Sequence, residues 1–274
     1  MGLLCGALSL PAEPVSAEKG AFDPAALSFD QLMVHASRYG TTGMKRERKK
    51  AAKEELRARG GESLAYLLAH THTENMWFFI YARELVERLE DEVVIPVLLQ
   101  GLEHEEQDVR KYAIYFLGFR ETPEHAARIL PFLSEEKLAG VVIRTLGKWH
   151  IRKAVPEIVP FLTHERERVR VLAANALGDI GDATAAGPLI TALDDRFFTV
   201  RRAASRALAR LDGETQDVFR EAVEESPVRA LRRLVPVLAR KDVPWARKLL
   251  EGLAAHPDAG VRYEVKASGV LTAE

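Results

Sequence analysis

Two histidine–glutamate pairs, His104-Glu105 and His164-Glu165, are by residue type the groups in this chain best suited to chemistry. An imidazole nitrogen and a carboxylate oxygen both serve as ligands for first-row divalent metals. Such a site needs several ligands converging within about 2 Å of one ion. His70 and His72, with Glu74, offer a looser set in "HTHTEN" (70–75). The chain has one cysteine, Cys5, which excludes a cysteine zinc site and an intrachain disulfide. No Ser-His-Asp order, glycine-rich phosphate loop or His-Glu-x-x-His helix stands out.

The elements that position these residues follow from an internal repeat. Val-Arg occurs at Val109-Arg110, Val169-Arg170, Val200-Arg201, Val228-Arg229 and Val261-Arg262, and Leu138-Ala139 fills the gap between the first two. Successive anchors are 28 to 33 residues apart. Four residues after the anchor stand Ala113, Val142, Ala173 and Ala204; eight after it stand Leu117, Leu146, Leu177 and Leu208; then Gly118, Gly147, Gly178 and Ala209. Apolar residues at 0, +4, +7, +8 and +11 lie on one face of a helix. Each anchor therefore opens an amphipathic helix, which the glycine ends or tightens. A second apolar helix follows in "AARILPFL", "VPEIVPFL" and "AGPLITAL". Thr122-Pro123 and Ser226-Pro227 read as an N-cap followed by an N1 proline, and Asp182 and Asp212 as caps of the second helix. Upstream, "MWFFIYARELVERL" (76–89) fits the anchor helix, and Ser28 with Gln31 forms a capping-box pattern. No strand-like alternation of any length occurs. The expectation is an all-α chain of about eight antiparallel helix pairs.

The "VRxxAxxALG" columns resemble the HEAT repeat family. They are most similar to the short bacterial HEAT-like repeats also found in phycobilisome (bilin) lyase subunits. Tetratricopeptide repeats fit worse, because the period is not 34. The resemblance implies a right-handed α-solenoid over 28–274 whose "VRxxAxxAL" helices line the concave side. A related HEAT-like enzyme, deoxyhypusine hydroxylase, holds two irons through four converging His-Glu pairs. This chain has two pairs, each five residues before an anchor and two repeats apart. Stacked helices about 10 Å apart would separate them by roughly 20 Å. They read as solvated turn residues, so no metal and no cofactor is expected. The reading is non-catalytic; lyase-type activity is the enzymatic rival.

Net charge is −1, so no global field draws the chain to nucleic acid. Its charge is nonetheless uneven. Residues 83–108 hold nine acids against two arginines, and residues 196–248 hold thirteen basic residues against seven acids. "KRERKKAAKEELRAR" (45–59) is also basic. Nucleic-acid binding is the alternative these segments raise, and solvated helix faces are the commoner cause. Residues 1–17 read as a truncated signal peptide, with an apolar run and the small-residue site "VSA" but no charged n-region. Residues 18–27 follow as a linker. On that reading the protein is periplasmic or secreted, and otherwise cytoplasmic. No run reaches the ~18 apolar residues that span a bilayer.

The face left free by the core columns carries the candidate binding site. It comprises Tyr115, Arg144, Asn175, Arg202, Arg206 and Arg210, a polar stripe suited to a protein or peptide of acidic character. The anchor arginines read instead as an inter-repeat ladder to acids in the preceding turns, such as Asp108, Glu167, Asp195 and Glu225. Trp149 and Phe197-Phe198 fall in turns and read as end-packing core. The repeat register makes one direct prediction. Leu177→Ala should cost about 2–5 kcal/mol in denaturant melts, by emptying a buried position; a change under about 0.5 kcal/mol, the size typical of a surface substitution, would break the column assignment.

Overall fold

The computed structural model describes residues 22–37, 43–71, 76–211, 214–241 and 243–271. The expectations for Cys5, His72, Glu74, Asp212 and residues 1–17 lie outside the described residues. The chain divides between Arg59 and Gly60 into two compact units.

In the first unit, α1 (Phe29–Ser37) packs on α2 (Gly43–Ala58). The capping box at the start of α1 forms as the sequence predicts. The Ser28 N–H donates to Gln31 Oε1 at 2.9 Å, and the Gln31 N–H donates to Ser28 Oγ at 3.3 Å. Arg59, just past α2, donates to the carbonyls of Ala25 (3.0 Å) and Leu27 (2.8 Å), holding the 24–26 turn against the pair.

The second unit is an α-solenoid of seven successive helix pairs. They are α3 (Gly61–Ala69) with α4 (Met76–Arg88), α5 (Asp91–Gly101) with α6 (Gln107–Leu117), and α7 (Ala126–Ile129) with α8 (Glu136–Lys148). Next come α9 (Val155–Ile158) with α10 (Glu167–Ile180) and α11 (Ala186–Ala192) with α12 (Phe198–Arg210). The last are α13 (Gln216–Glu225) with α14 (Val228–Lys241) and α15 (Pro244–Ala254) with α16 (Ala259–Ala267). With the pair in the first unit this makes eight among the described residues, and no strand occurs among them. The even-numbered helices from α6 to α16 stack on one another as a second row, each also packed on the first-row residues of its own pair, which for α8 are chiefly the 3-10 segment Leu130–Ser134. Among the described residues, no helix is long and apolar enough to cross a membrane.

Burial follows the repeat columns. Ala113, Val142, Ala173 and Ala204 are fully buried, as are Leu117, Leu146, Leu177 and Leu208. One anchor needs correction. Val228 is exposed, and the buried run of α14 is Ala230, Leu231, Leu234, Val235 and Leu238. Ala204 and Leu208 of α12 have Leu231 and Val235 as their counterparts, so the true anchor position is Pro227. Apolar content at the +3, +4, +7 and +8 positions, rather than the Val-Arg pair, sets the rotation of α14.

The first row is less regular than expected. "AARILPFL" and "VPEIVPFL" each make only four α-helical residues, flanked by 3-10 segments at Pro123–His125 and Leu130–Ser134, and at Arg152–Ala154 and Val159–Thr163. Pro131 and Pro160 have no N–H to give, and their rings clash with the carbonyl four residues back, so the tighter turn takes over. Of the expected caps, Asp182 accepts from the Thr184 N–H at 2.9 Å. Thr122 stands at its cap position but makes no side-chain cap bond, and its hydroxyl is buried without a partner.

The glycine column does not chiefly end helices, since Gly147 and Gly178 lie inside α8 and α10. Their role is close approach. A Cβ on Gly147 would lie 2.8 Å from Cα of Ala176, and one on Gly178 would lie 2.6 Å from Cα of Ala207. Both targets belong to the next second-row helix, so backbones meet there with no side chain between. Gly→Ala inside a helix ordinarily stabilises by about 0.5–1 kcal/mol. Here the sign should reverse. Gly178→Ala should destabilise by about 1–3 kcal/mol in urea melts, as overpacking does. Ala207→Gly in the same chain should recover part of that loss, and a stabilising Gly178→Ala would contradict the contact.

Candidate functional site

The turns that lead into the second-row helices share a repeated set of polar contacts. His104, His164 and His256 each stand five residues before an anchor valine, and Asp195 takes the same place before Val200. In all four the side chain accepts a hydrogen bond from the backbone N–H two residues on. The distances are 3.0 Å for His104 with Glu106, 3.1 Å for His164 with Arg166, 3.0 Å for His256 with Asp258 and 2.8 Å for Asp195 with Phe197. The imidazole Nδ1 is thus an acceptor of its own turn, and it imitates the carboxylate of an Asx-turn.

The anchor arginine closes the same turn. Arg110 donates to the carbonyls of His104 and Glu105, both at 2.7 Å. Arg170 donates to those of His164 (2.7 Å) and Glu165 (3.0 Å), and Arg201 to those of Asp195 (3.0 Å) and Arg196 (3.1 Å). Arg262 does the same to His256 and Pro257, both at 2.7 Å. These carbonyls lie between two helices and have no helical partner of their own, so the guanidinium satisfies them.

The expected acid ladder exists with its direction reversed. Arg110 pairs with Glu135 at 2.9 Å, and Arg170 pairs with Asp195 through two bonds of 2.7 and 3.1 Å. In both cases the carboxylate comes from the following turn. Asp108 binds Lys111, within its own helix. Glu167 accepts from the Thr199 hydroxyl. Hydrogen bonds from Arg110 and Gln107 hold the Glu135 carboxyl below the usual carboxylate range. Burial pushes the Asp195 carboxyl up, but bonds from Arg170 and the Phe197 N–H, with the charges of Arg170 and Arg196, outweigh it and leave it lowered. The Arg170 guanidinium also lies 5.4 Å from the Phe197 ring centroid.

The His-Glu pairs are therefore turn closures. Their glutamates are exposed, and among the described residues no group of three or more His, Cys, Asp or Glu could hold a metal ion. His70 contacts the Tyr66 carbonyl through Nδ1 at 2.7 Å and stacks on Phe78.

The free face of the second row is heterogeneous. Tyr115 is half-buried beside Phe79 and Phe119, and the Arg144 guanidinium lies 5.8 Å from its ring centroid. Arg144, Asn175, Arg202 and Arg206 are exposed. Arg206 makes no ion pair among the described residues. Arg210 is different: it pairs with Asp179 and donates to the Gly178 carbonyl at 3.2 Å. Lys148 reaches the Gly118 carbonyl and Lys241 the Leu211 carbonyl in the same way, both at 3.1 Å. These cations cover carbonyls near the C-terminus of the preceding second-row helix, where charge and hydrogen-bonding favour them. A basic residue near the end of each such helix was the available signal. Trp149 is buried, with its indole N–H on the Arg120 carbonyl at 2.6 Å. Phe198 departs from the expected end-packing role: it is 63% exposed, between Arg201 and Arg202.

The family model for HEAT repeats matches residues 126–209, which run from α7 to α12. The matched segment of the chain is a run of HEAT repeats. Its HEAT repeats thus include the glycine contacts of Gly147 and Gly178 and the Arg170–Asp195 pair. No curated protein sequence matches the chain. Among solved structures, the complex of CpcE and CpcF of phycocyanin lyase from Nostoc sp. PCC7120 is 22% identical. That likeness covers 66% of this chain and 76% of the other, with a TM-score of 0.43. YibA of E. coli is 15% identical over 92% of this chain and 94% of its own, with a TM-score of 0.47. Human deoxyhypusine hydroxylase in complex with glycerol is 17% identical over 90% and 96%, with a TM-score of 0.35. No activity transfers from likenesses at this level.

The Arg170–Asp195 pair sets a pH-dependent prediction. Breaking a buried pair strands its partner, so Arg170→Met should cost about 3–5 kcal/mol at pH 7. The folded Asp195 carboxyl titrates below its unfolded value. Its contribution is therefore complete above the unfolded value of about 3.9 and is lost as pH falls through the folded one. Urea melts of Asp195→Asn and the parent chain should differ by a steady amount above about pH 4 and draw together progressively as pH falls below it. A difference that stays constant below about pH 4 would assign the loss to something other than this charge.

Proposed function

We propose that this chain is a non-catalytic HEAT-repeat scaffold spanning 28–274. In this reading it binds a protein or peptide of acidic character through the free, concave face of its second-row helices. The contact residues are Tyr115, Arg144, Asn175, Arg202 and Arg206. Arg210 contributes charge at the edge while it holds the Gly178 carbonyl. The observation that carries the reading is on α12. Arg202 and Arg206 stand one turn apart, exposed, and without an ion pair among the described residues. Like charges at i,i+4 cost a helix a few tenths of a kcal/mol, so this ridge does not serve α12 itself. A carboxylate-bearing partner would relieve the repulsion and accept charge-assisted, forked hydrogen bonds. A repeat array presents such a face over many helices and suits an extended partner better than a small substrate.

The test is titration of a fluorescent glutamate-rich peptide into the parent chain and into Arg202→Glu/Arg206→Glu. The variant should keep the parent's helical circular dichroism and bind roughly tenfold or more weakly, because like charges then face each other across the contact. Equal affinity of the two folded proteins would remove this face as the binding site.

A further inference from the structure

The turn before α12 differs electrostatically from the turns before α6 and α10. Arg110 and Arg170 each close their own turn and receive a carboxylate from the next one, Glu135 and Asp195. Arg201 closes its turn through the carbonyls of Asp195 and Arg196 but receives no carboxylate among the described residues. The turn before α14, Ser226-Pro227, has no carboxylate of its own, and α14 adds two more arginines. Arg229 Nε lies 3.1 Å from Asp194 Oδ1. Arg233 donates to the same oxygen and to the Leu193 carbonyl at 2.8 Å. Asp194 therefore shares a single oxygen between two guanidiniums, with Arg201 beside them. Burial, then the charges of Arg201 and Arg229, push the Arg233 guanidinium below its ordinary range against the pull of Asp194. Glu221 and Glu225 line the adjoining cleft with Thr191 and Asp194, and no ion pair joins either glutamate to these arginines among the described residues.

Three guanidiniums against one carboxylate leave an excess of two positive charges at one surface point. That arrangement costs the free protein repulsion, and departures from local consistency of this kind collect at functional sites. A phosphate monoester carries about −1.5 to −2 charges at pH 7 and three acceptor oxygens, which matches the excess and the fork geometry of arginine. We propose that Arg201, Arg229 and Arg233, where the turn before α12 meets the start of α14, bind a phosphate monoester. The site shares no residue with the stripe on the second-row face and does not depend on that reading.

The experiment compares the parent chain with Arg229→Gln and Arg229→Gln/Arg233→Gln, in inorganic phosphate and in chloride at matched ionic strength. The parent should melt higher in phosphate than in chloride, and calorimetry should give phosphate binding roughly tenfold or more weaker in the double variant. In chloride at low salt, Arg229→Gln should melt no lower than the parent, because it removes a repelling charge. A phosphoserine peptide and its unphosphorylated counterpart separate the sources. Binding at least tenfold tighter than inorganic phosphate assigns the site to phosphorylated protein, and equal binding assigns it to free phosphate compounds. The proposal is overturned if the parent does not distinguish phosphate from chloride, or if the double variant keeps the parent's phosphate affinity. It is also overturned if Arg229→Gln melts lower than the parent in chloride, which would make the cluster a structural pairing with Asp194.

Discussion

The second unit depends on direct backbone contact between neighbouring second-row helices. Gly147 against Ala176 and Gly178 against Ala207 leave no room for a further methyl group. Dispersion contacts at that distance are numerous, and the alanines lose no side-chain entropy on burial. The contact also sets the position of everything else in the row. It brings the carbonyls at the end of one helix within reach of a cation on the next, which is why Lys148, Arg210 and Lys241 find partners 30 to 32 residues back. It likewise brings each turn close enough to its successor for Arg170 to reach Asp195. The leucines of the +8 column are fully buried in the same stack.

The turns themselves are held by polar chemistry that repeats with the helices. A turn between stacked helices leaves carbonyls without helical partners, and leaving them buried and unpaired would cost more than a net hydrogen bond returns. One guanidinium serves two of them in each of four turns, while a histidine or aspartate accepts the neighbouring N–H. The carboxylate from the next turn offsets the cost of burying the charge, as at Arg170, whose side chain is 6% exposed. The histidines owe their position before the anchor to this geometry, and so do the exposed glutamates that follow two of them.

The uneven charge of the chain takes on a different meaning in three dimensions. Acids of the 83–108 block are largely engaged: Glu87 with Arg83, Glu84 with Arg88, Asp91 with Arg120, Glu103 with Arg128 and Asp108 with Lys111. Most of these partners lie on the surface, where a pair is worth little energy but cancels field. The basic block at 196–248 is only partly cancelled, through Arg210 with Asp179, Arg220 with Asp217 and Arg232 with Asp258. Among the described residues, Arg201, Arg202 and Arg206 of α12 keep no ion pair, and Arg229 and Arg233 of α14 share the single carboxylate of Asp194.

Helix positions and the buried columns were legible in the chain alone, because a 3.6-residue apolar period repeated at 28 to 33 residues has few structural solutions. The capping box at Ser28 and the cap at Asp182 were legible for the same local reason. Three features needed the tertiary structure. The role of Gly147 and Gly178 depends on which atom of another helix approaches them, and no local pattern distinguishes a helix end from a close contact. The direction of the arginine ladder depends on which turn stacks next, so a carboxylate 25 residues ahead outcompetes nearer ones. The rotation of α14 follows the sum of its apolar contacts, and a Val-Arg pair at the wrong phase is turned outward to Val228 and Arg229. Periodicity is a property of one segment read along itself, whereas these three are decided between segments, by distance.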